Sequence, residues 1–337
     1  MKVLICNPSL WIYGGAERVI VQLANYLTDR HHEVSILCYQ ICDEVRAALK
    51  EARIIEVENL DILPDFLQQI YTDFDVVNIH NEPGYMCLYP KKANVVWMCN
   101  EPPHLEKPEP QDVELQAVKD FKVIVADQFN KERIDNLYNV ESKIIPYGID
   151  YDFFSENPNK IEKNKEMTFI QVGWIADTKN QLRTIEIFKG LKEHYPESKL
   201  ILCGKALPHY LDLVRQKVAE YGLMSDVELV DFTDREKVRD LYHSSHIALF
   251  PIKSQGGWLS VFEAISAGLP TYVSKDATCS SIIEENKLGV VCDTNEDFVQ
   301  GCRGYGVSDN IETKNMTWVK ENLTWDKFCE KMLEEFK

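Results

Sequence analysis

The stretch Leu249-Phe250-Pro251-Ile252-Lys253-Ser254-Gln255-Gly256-Gly257-Trp258-Leu259-Ser260-Val261-Phe262-Glu263-Ala264-Ile265-Ser266-Ala267-Gly268-Leu269-Pro270 reads as one strand, one loop and one helix in succession. The apolar run Ile247–Phe250 has the length and composition of a buried strand, and Gly256-Gly257 supplies a turn with room for a ligand. The helix that follows carries a single carboxylate, Glu263, among Val261, Phe262, Ala264 and Ile265, and Gly268-Leu269-Pro270 stops it. A strand that turns over glycine directly into a helix is the repeating piece of a parallel sheet covered on both faces.

Moving outward, the piece recurs. Strands are predicted at Met167–Val172, Lys199–Cys203, Val227–Val230, Thr271–Val273 and Val290–Val291, with room for helices between them. The first half repeats the pattern with Val3–Cys6, Val34–Leu37, Ile54–Val57, Val76–Ile79, Val95–Met98, Val123–Ala126 and Lys143–Ile145, and a helix from about Gly15 to Thr28. The polar stretch Asn157–Glu166 has weak periodicity and reads as a linker. The predicted fold class is therefore α/β: two Rossmann-like, doubly wound parallel-sheet domains facing a cleft. The expected boundaries are 1–155, 156–320 and a closing amphipathic helix in 321–337, capped at Thr324.

The length fits two cores: 337 residues exceed the roughly 250–300 at which single cores stop growing. A formal net charge of −17, with no basic run longer than Lys91-Lys92, repels a phosphate backbone, so nucleic acid is not expected as a partner. The same acidity opposes broad docking on an anionic bilayer and leaves room only for peripheral membrane contact through a local patch or apolar loop. Ten cysteines without CxxC spacing, several inside predicted strands (Cys6, Cys38, Cys203), read as free core thiols of a reducing cytoplasm. No secretory h-region or membrane-length apolar run is present, so a cytoplasmic location is expected, and Asn315 and Asn322 in their Asn-x-Thr contexts are not expected to carry glycans.

Three constellations carry chemistry. Gly14-Gly15-Ala16-Glu17-Arg18 opens an apolar-periodic helix just after the first strand, so bare amides at the helix's positive end are placed to hold a phosphate or sugar hydroxyl; the pair also reads as a tight turn. Gly173-Trp174-Ile175 follows another strand and leads to Lys179 at a helix start, where a lysine would neutralise a diphosphate leaving group; taken alone it reads sooner as a solvated surface lysine. Glu263 sits in an apolar helix, and a buried carboxylate is costly unless bound, for which a ribose diol would serve; on an exposed helix face it would need no partner. The Gly-x-Gly-x-x-Gly fingerprint is absent, which weighs against a nicotinamide enzyme.

These stretches, with Ile145-Pro146-Tyr147-Gly148-Ile149-Asp150 and the terminal Thr-Trp helix, resemble the retaining glycosyltransferases of family four, which have the GT-B fold. The resemblance covers nearly the whole chain in order. It implies that the second domain binds a nucleotide sugar, UDP- or GDP-linked, that the first receives a glycan, lipid-linked or small-molecule acceptor, and that no other cofactor takes part; no His/Cys/Asp cluster has metal-ligand spacing, so no catalytic metal is expected. It implies catalytic positions at Lys179, Gln255 and Glu263, with Glu263 on the ribose, Gln255 on the transferred sugar and Lys179 on the diphosphate. Donor contacts are implied at Gly15, Gly173, Trp174, Lys205, Gly256, Gly257 and Trp258, and acceptor-side contacts at His80, Asn100 and Glu101; His80 also reads as a satisfied structural histidine, and the Glu101–Pro110 loop as an ordinary surface loop.

Three residues depart from the family pattern. Gln255 stands where Glu is usual, Trp174 where Arg is usual and Asn100 where His is frequent. Each removes a charge or a titratable group, and Lys205 or Lys253 would have to supply the lost cation near the diphosphate. The expected reaction is sugar transfer to an acceptor hydroxyl with retention of configuration. The departures also admit a non-catalytic sugar-nucleotide-binding paralogue, or a cleft enzyme such as an epimerase acting on the sugar nucleotide itself.

Overall fold

A computed structural model describes residues 1–81, 94–100, 112–231, 234–253, 258–303 and 309–337. The chain divides into two compact units, residues 1–148 with 325–337, and residues 149–324. Gln255, Gly256, Gly257 and Glu101, with the remainder of the loop to Pro110, lie outside the described residues.

The first unit is built on a parallel sheet. Its strands are β1 (Lys2–Cys6), β3 (Glu33–Cys38), β5 (Arg53–Glu56), β6 (Val76–His80), β7 (Asn94–Met98), β8 (Lys122–Val125) and β9 (Lys143–Ile144). Their order in space is β5-β3-β1-β6-β7-β8-β9, and the reversal of direction at β1 makes the sheet doubly wound. Two further strands that periodicity does not reveal, β2 (Ser9–Leu10) and β4 (Gln40–Ile41), pair only with each other. Every residue of β6 is buried, whereas edge strand β5 places Arg53 and Glu56 at the surface. That is the pattern of a sheet buried on both faces, with charge confined to its rim. Helix α1 (Gly15–Asp29) buries Val19, Ile20, Leu23, Ala24 and Leu27 at helical spacing. Helix α2 (Gln128–Tyr138) starts at Asp127, whose carboxylate accepts from the Asn130 N–H.

The second unit repeats the architecture. Strands β10 (Thr168–Val172), β11 (Lys199–Cys203), β12 (Val227–Val230), β13 (Ile247–Phe250), β14 (Thr271–Ser274) and β15 (Val290–Cys292) run in parallel in the order β12-β11-β10-β13-β14-β15. The core gathers Phe169, Phe188, Leu200, Leu202, Ile247, Leu249 and Phe298. Helices α3 (Gln181–Leu191), α4 (Arg235–Ser244) and α5 (Trp258–Ser266) follow β10, β12 and β13. The sequence expectation of two parallel α/β units holds strand by strand.

The boundaries differ from the expected 155/156 and 320/321 divisions. The polar stretch 157–166 is held inside the second unit: Asn164 N–H donates to the Ser244 carbonyl at 2.8 Å, and Asn159 Nδ2 to Asp240. His243 Nε2 meets the carbonyls of Phe154 and Glu156, so the end of α4 binds a segment that composition reads as a linker. The stretch is largely exposed, and its polarity serves water as well as these few hydrogen bonds to α4.

The closing helix α6 (Trp325–Glu335) belongs to the first unit, where it packs along α1 and buries Phe328, Cys329 and Met332. The chain leaves the first unit at Gly148 and returns at Trp325. A Cβ on Gly148 would lie 2.4 Å from the Trp325 backbone, closer than real Cβ atoms come. The nine described cysteines are free. Burial pushes the Cys38 and Cys292 thiols up to about 12 and that of Cys203 to about 11, so these stay protonated and act as small apolar side chains. No helix among the described residues is long and apolar enough to cross a membrane.

Gly148→Ala is expected to push the start of α6 away and to cost about 1–3 kcal/mol, as overpacking does. The urea unfolding midpoint reads this directly, and an unchanged midpoint would show that the contact relaxes freely.

Candidate functional site

In the second sheet β11, β10 and β13 are adjacent, so the loops at their carboxyl ends meet. β10 exits through Gly173, whose φ of +150° is open to glycine and strained for other residues. β11 exits through Gly204, and a Cβ there would lie 2.0 Å from the Gly173 carbonyl oxygen. Gly173 N–H donates to Cys203 O and Ile175 N–H to Lys205 O, each at 2.9 Å, so the two loops are laced together beyond the strand ends. Trp174 and Lys205 are thereby held on neighbouring turns.

Lys179 ends a short 3-10 turn, Asp177–Lys179, ahead of α3. Its aliphatic stem runs past Gly173, with Cγ 3.7 Å from the position of a Cβ on that residue. Gln171, buried in the middle of β10, donates to the Lys179 carbonyl at 2.6 Å and accepts from Thr184 Oγ1 at 2.5 Å. Asn180 adopts a left-handed φ of 56° and donates through Nδ2 to Pro251 O. The turn carrying the lysine is thus tied to its own strand, its own helix and the exit of β13.

Glu263 lies in α5 with 6% exposure, which removes the reading of an exposed helix face. Trp258, at the start of the same helix, is buried and packs on Phe262 with ring centroids 4.5 Å apart. Lys253 ends the described part of the β13 exit, where its N–H donates to Thr178 O and its Nζ pairs with Asp177 at 2.7 Å. Both partners are largely exposed, so the pair is worth little on its own. Among the described residues no cluster of three His, Cys, Asp or Glu could hold a metal.

The carboxyl edge of the first sheet carries a different arrangement. Gly14 caps α1 with its N–H bonded to the Glu17 carboxylate at 3.0 Å, and Gly15 opens that helix exposed to solvent. His80, expected on the acceptor side, is fully buried at the end of β6. Its Nε2 meets Asn78 Oδ1 and its Nδ1 meets Asn100 Nδ2, each at 2.8 Å. Asn78 Nδ2 donates to Val96 O, which leaves Asn78 Oδ1 as acceptor and fixes the neutral tautomer with its proton on Nε2. Burial pushes the His80 pKa down to about 3. Tyr147 OH donates to Asn100 Oδ1 at 3.1 Å and completes the row Asn78, His80, Asn100, Tyr147. Both imidazole nitrogens are engaged within the protein, so the histidine orients Asn100 instead of meeting an acceptor itself.

Asn78 and Gln171 were not singled out in the sequence. The signal was there, an amide in the middle of an otherwise apolar strand in Val76–His80 and in Thr168–Val172. Asp177 as the partner of Lys253 has no comparable signal, because the two are far apart in the chain.

Two family models match in succession, Glycosyltransferase Family 4 over residues 13–153 and Glycosyl transferases group 1 over residues 153–303. The chain belongs to the group 1 glycosyltransferases. Lipopolysaccharide glucosyltransferase WaaG of Escherichia coli (strain K12) is 26% identical over 163 residues, 42% of this chain and 42% of that protein. A probable sucrose-phosphate synthase of Thermosipho melanesiensis is 23% identical over 214 residues, 60% of this chain and 49% of that protein. The aligned stretches therefore span less than half the length of either relative. Anabaena Alr3699/HepE, solved in complex with UDP and glucose, superposes with a TM-score of 0.83 at 15% identity, covering 99% of this chain and 98% of that one. The fold of this group 1 glycosyltransferase is GT-B.

His80 gives the first unit a titratable signature. Its folded pKa lies below the unfolded 6.5, so the unfolded chain takes up a proton that the folded chain refuses. Its contribution is complete above pH 6.5 and is lost as pH falls toward 3. A loss on the order of 2 kcal/mol is expected by about pH 5. Denaturant titrations of wild type and His80→Gln at several pH values should show a shallower acid slope in the variant, and identical slopes would contradict the neutral buried imidazole.

Proposed function

We propose that the chain transfers a sugar from a nucleotide sugar to an acceptor hydroxyl, with retention of configuration and without a bound metal. The carrying observation is Glu263, a carboxylate buried on the helix that follows the Gly256-Gly257 stretch, in the sheet whose neighbouring exits bear Lys179, Trp174 and Lys205. A ribose diol is a fitting ligand for Glu263, because two vicinal hydroxyls can donate to one carboxylate. The neighbouring HepE structures with UDP, with UDP and glucose, and with UDP-glucose support a nucleotide-sugar donor, UDP-linked before GDP-linked.

In this reading the chemistry asks mainly for positioning and for stabilisation of charge on the departing diphosphate. Lys179 meets that charge beside the N-terminus of α3, whose first amides and dipole favour an anion. Trp174, at the position where the family usually has arginine, supplies no cation. Lys253 exchanges Asp177 for the diphosphate, with Lys205 on the adjoining turn, and the two replace the missing guanidinium. The acceptor oxygen attacks from the face the nucleotide leaves, and the departing phosphate takes the acceptor proton, so no side-chain base is required. Gln255 hydrogen-bonds a hydroxyl of the transferred sugar as donor and acceptor. The first unit receives the acceptor, with Asn100 set by His80 and Tyr147.

A thermal-shift screen of UDP, GDP and their sugars tests the donor. A ligand at about 100 times its dissociation constant adds roughly 2.7 kcal/mol to stability, and Glu263→Ala should abolish that gain. Lys179→Ala should bind the nucleoside diphosphate weakly and slow turnover by about 100-fold or more. Proton NMR of the first-formed product reports the anomer, and turnover should survive EDTA. Stabilisation with no hydrolysis or transfer from any donor would instead mark a binding protein.

A further inference from the structure

Arg133 stands in the second turn of α2, directly beyond β8. Both terminal nitrogens of its guanidinium are buried, and among the described residues neither has a hydrogen-bond partner. The residue as a whole is half-buried, and a guanidinium, which keeps its charge, loses stability where its shielded donors go unfilled. The carboxylates of its own helix are committed elsewhere. Asp127 accepts from the Asn130 N–H and Nδ2, Glu132 accepts from Gln128, and Asp135 accepts from Lys131 and the Ser142 N–H. One turn earlier on the same side of the helix, the Asn130 side-chain oxygen is also buried without a partner.

The location is informative. The first turns of α2 stand at the carboxyl edge of the first sheet, and Cys99, the residue after the adjacent strand β7, is near enough to act electrostatically on the guanidinium. The next residue is Asn100, which the His80 row orients. An unbalanced planar fork of donors and an unfilled acceptor oxygen therefore stand beside the residue assigned to the acceptor.

We infer that Arg133 binds an anionic group of the acceptor, a phosphate monoester or a carboxylate, at the carboxyl edge of the first sheet. Guanidinium geometry matches two oxygens of such a group, and the Asn130 oxygen takes a neighbouring hydroxyl. The inference rests on the proposal that this unit receives the acceptor.

Thermal shift and calorimetric titration of the full chain, with glucose 6-phosphate, inorganic phosphate and glucuronate against neutral glucose at matched ionic strength, give the soluble arm. Sedimentation with phosphatidylglycerol vesicles gives the lipid-headgroup arm. Arg133-dependent binding in either arm supports the site and names its source. Arg133→Gln should weaken the anionic ligand by about tenfold or more, Arg133→Lys by less, and neither should alter the shift given by UDP. Without ligand, Arg133→Met should raise the unfolding temperature, because it removes an uncompensated charge. A lower unfolding temperature for that variant would assign the partner to a carboxylate of the chain itself and overturn the inference, as would equal anion binding by wild type and Arg133→Gln, or none by wild type. Anion binding that needs Arg133 in a chain that binds no nucleotide sugar would sink the transferase reading and leave the anion site standing.

Discussion

The pairing of β10 with β11 does not stop where the strands end. Gly173 and Gly204 bring the two exits to a separation that admits no side chain at Gly204, and the ladder runs on through Gly173, Ile175 and Lys205. Backbone hydrogen bonds, and not a flexible loop, therefore set where Trp174 and Lys205 stand. Strand exits in parallel sheets are ordinarily the looser part of the fold. Here the strand geometry is carried into the site, and the lysine stem passes Gly173 at van der Waals distance from where a Cβ would stand.

The first unit reaches the same end with buried amides. Asn78 holds the His80 ring, the ring holds Asn100, and Tyr147 closes the row. Gln171 plays the corresponding part for the Lys179 turn in the second unit. A half-satisfied buried network is worse than an apolar core, so each member constrains the next. Substituting Asn100 for the histidine frequent in the family keeps a donor and an acceptor at that point while removing a titratable group. The arrangement then has no use for a charged His80, which burial opposes in any case.

Much of this was legible in the sequence because a doubly buried strand has few ways to be written. Runs such as Val76–His80 and Thr168–Val172 announce themselves by β-branched and apolar residues, and the strand, loop and helix around Glu263 could be placed without coordinates. Three kinds of feature were not legible. The strands β2 and β4 are two residues each, too short for any period to register. The exposed stretch 157–166 is polar as a linker would be, and composition does not reveal that Asn159 and Asn164 tie it to α4. The first unit's claim on α6 depends on contacts between residues at opposite ends of the chain, which no local pattern encodes.

That last feature bears on how the protein is made. The second unit is one continuous segment, 149–324, whereas the first is finished only by residues 325–337. On the ribosome, the part synthesised first is thus the part completed last: the side of α1 that seats Phe328 and Met332 stays uncovered while the whole of the other unit emerges. An oily surface left open that long invites chaperones and self-association, and truncation or a stalled ribosome before residue 325 would strand the first unit with no lid for its core.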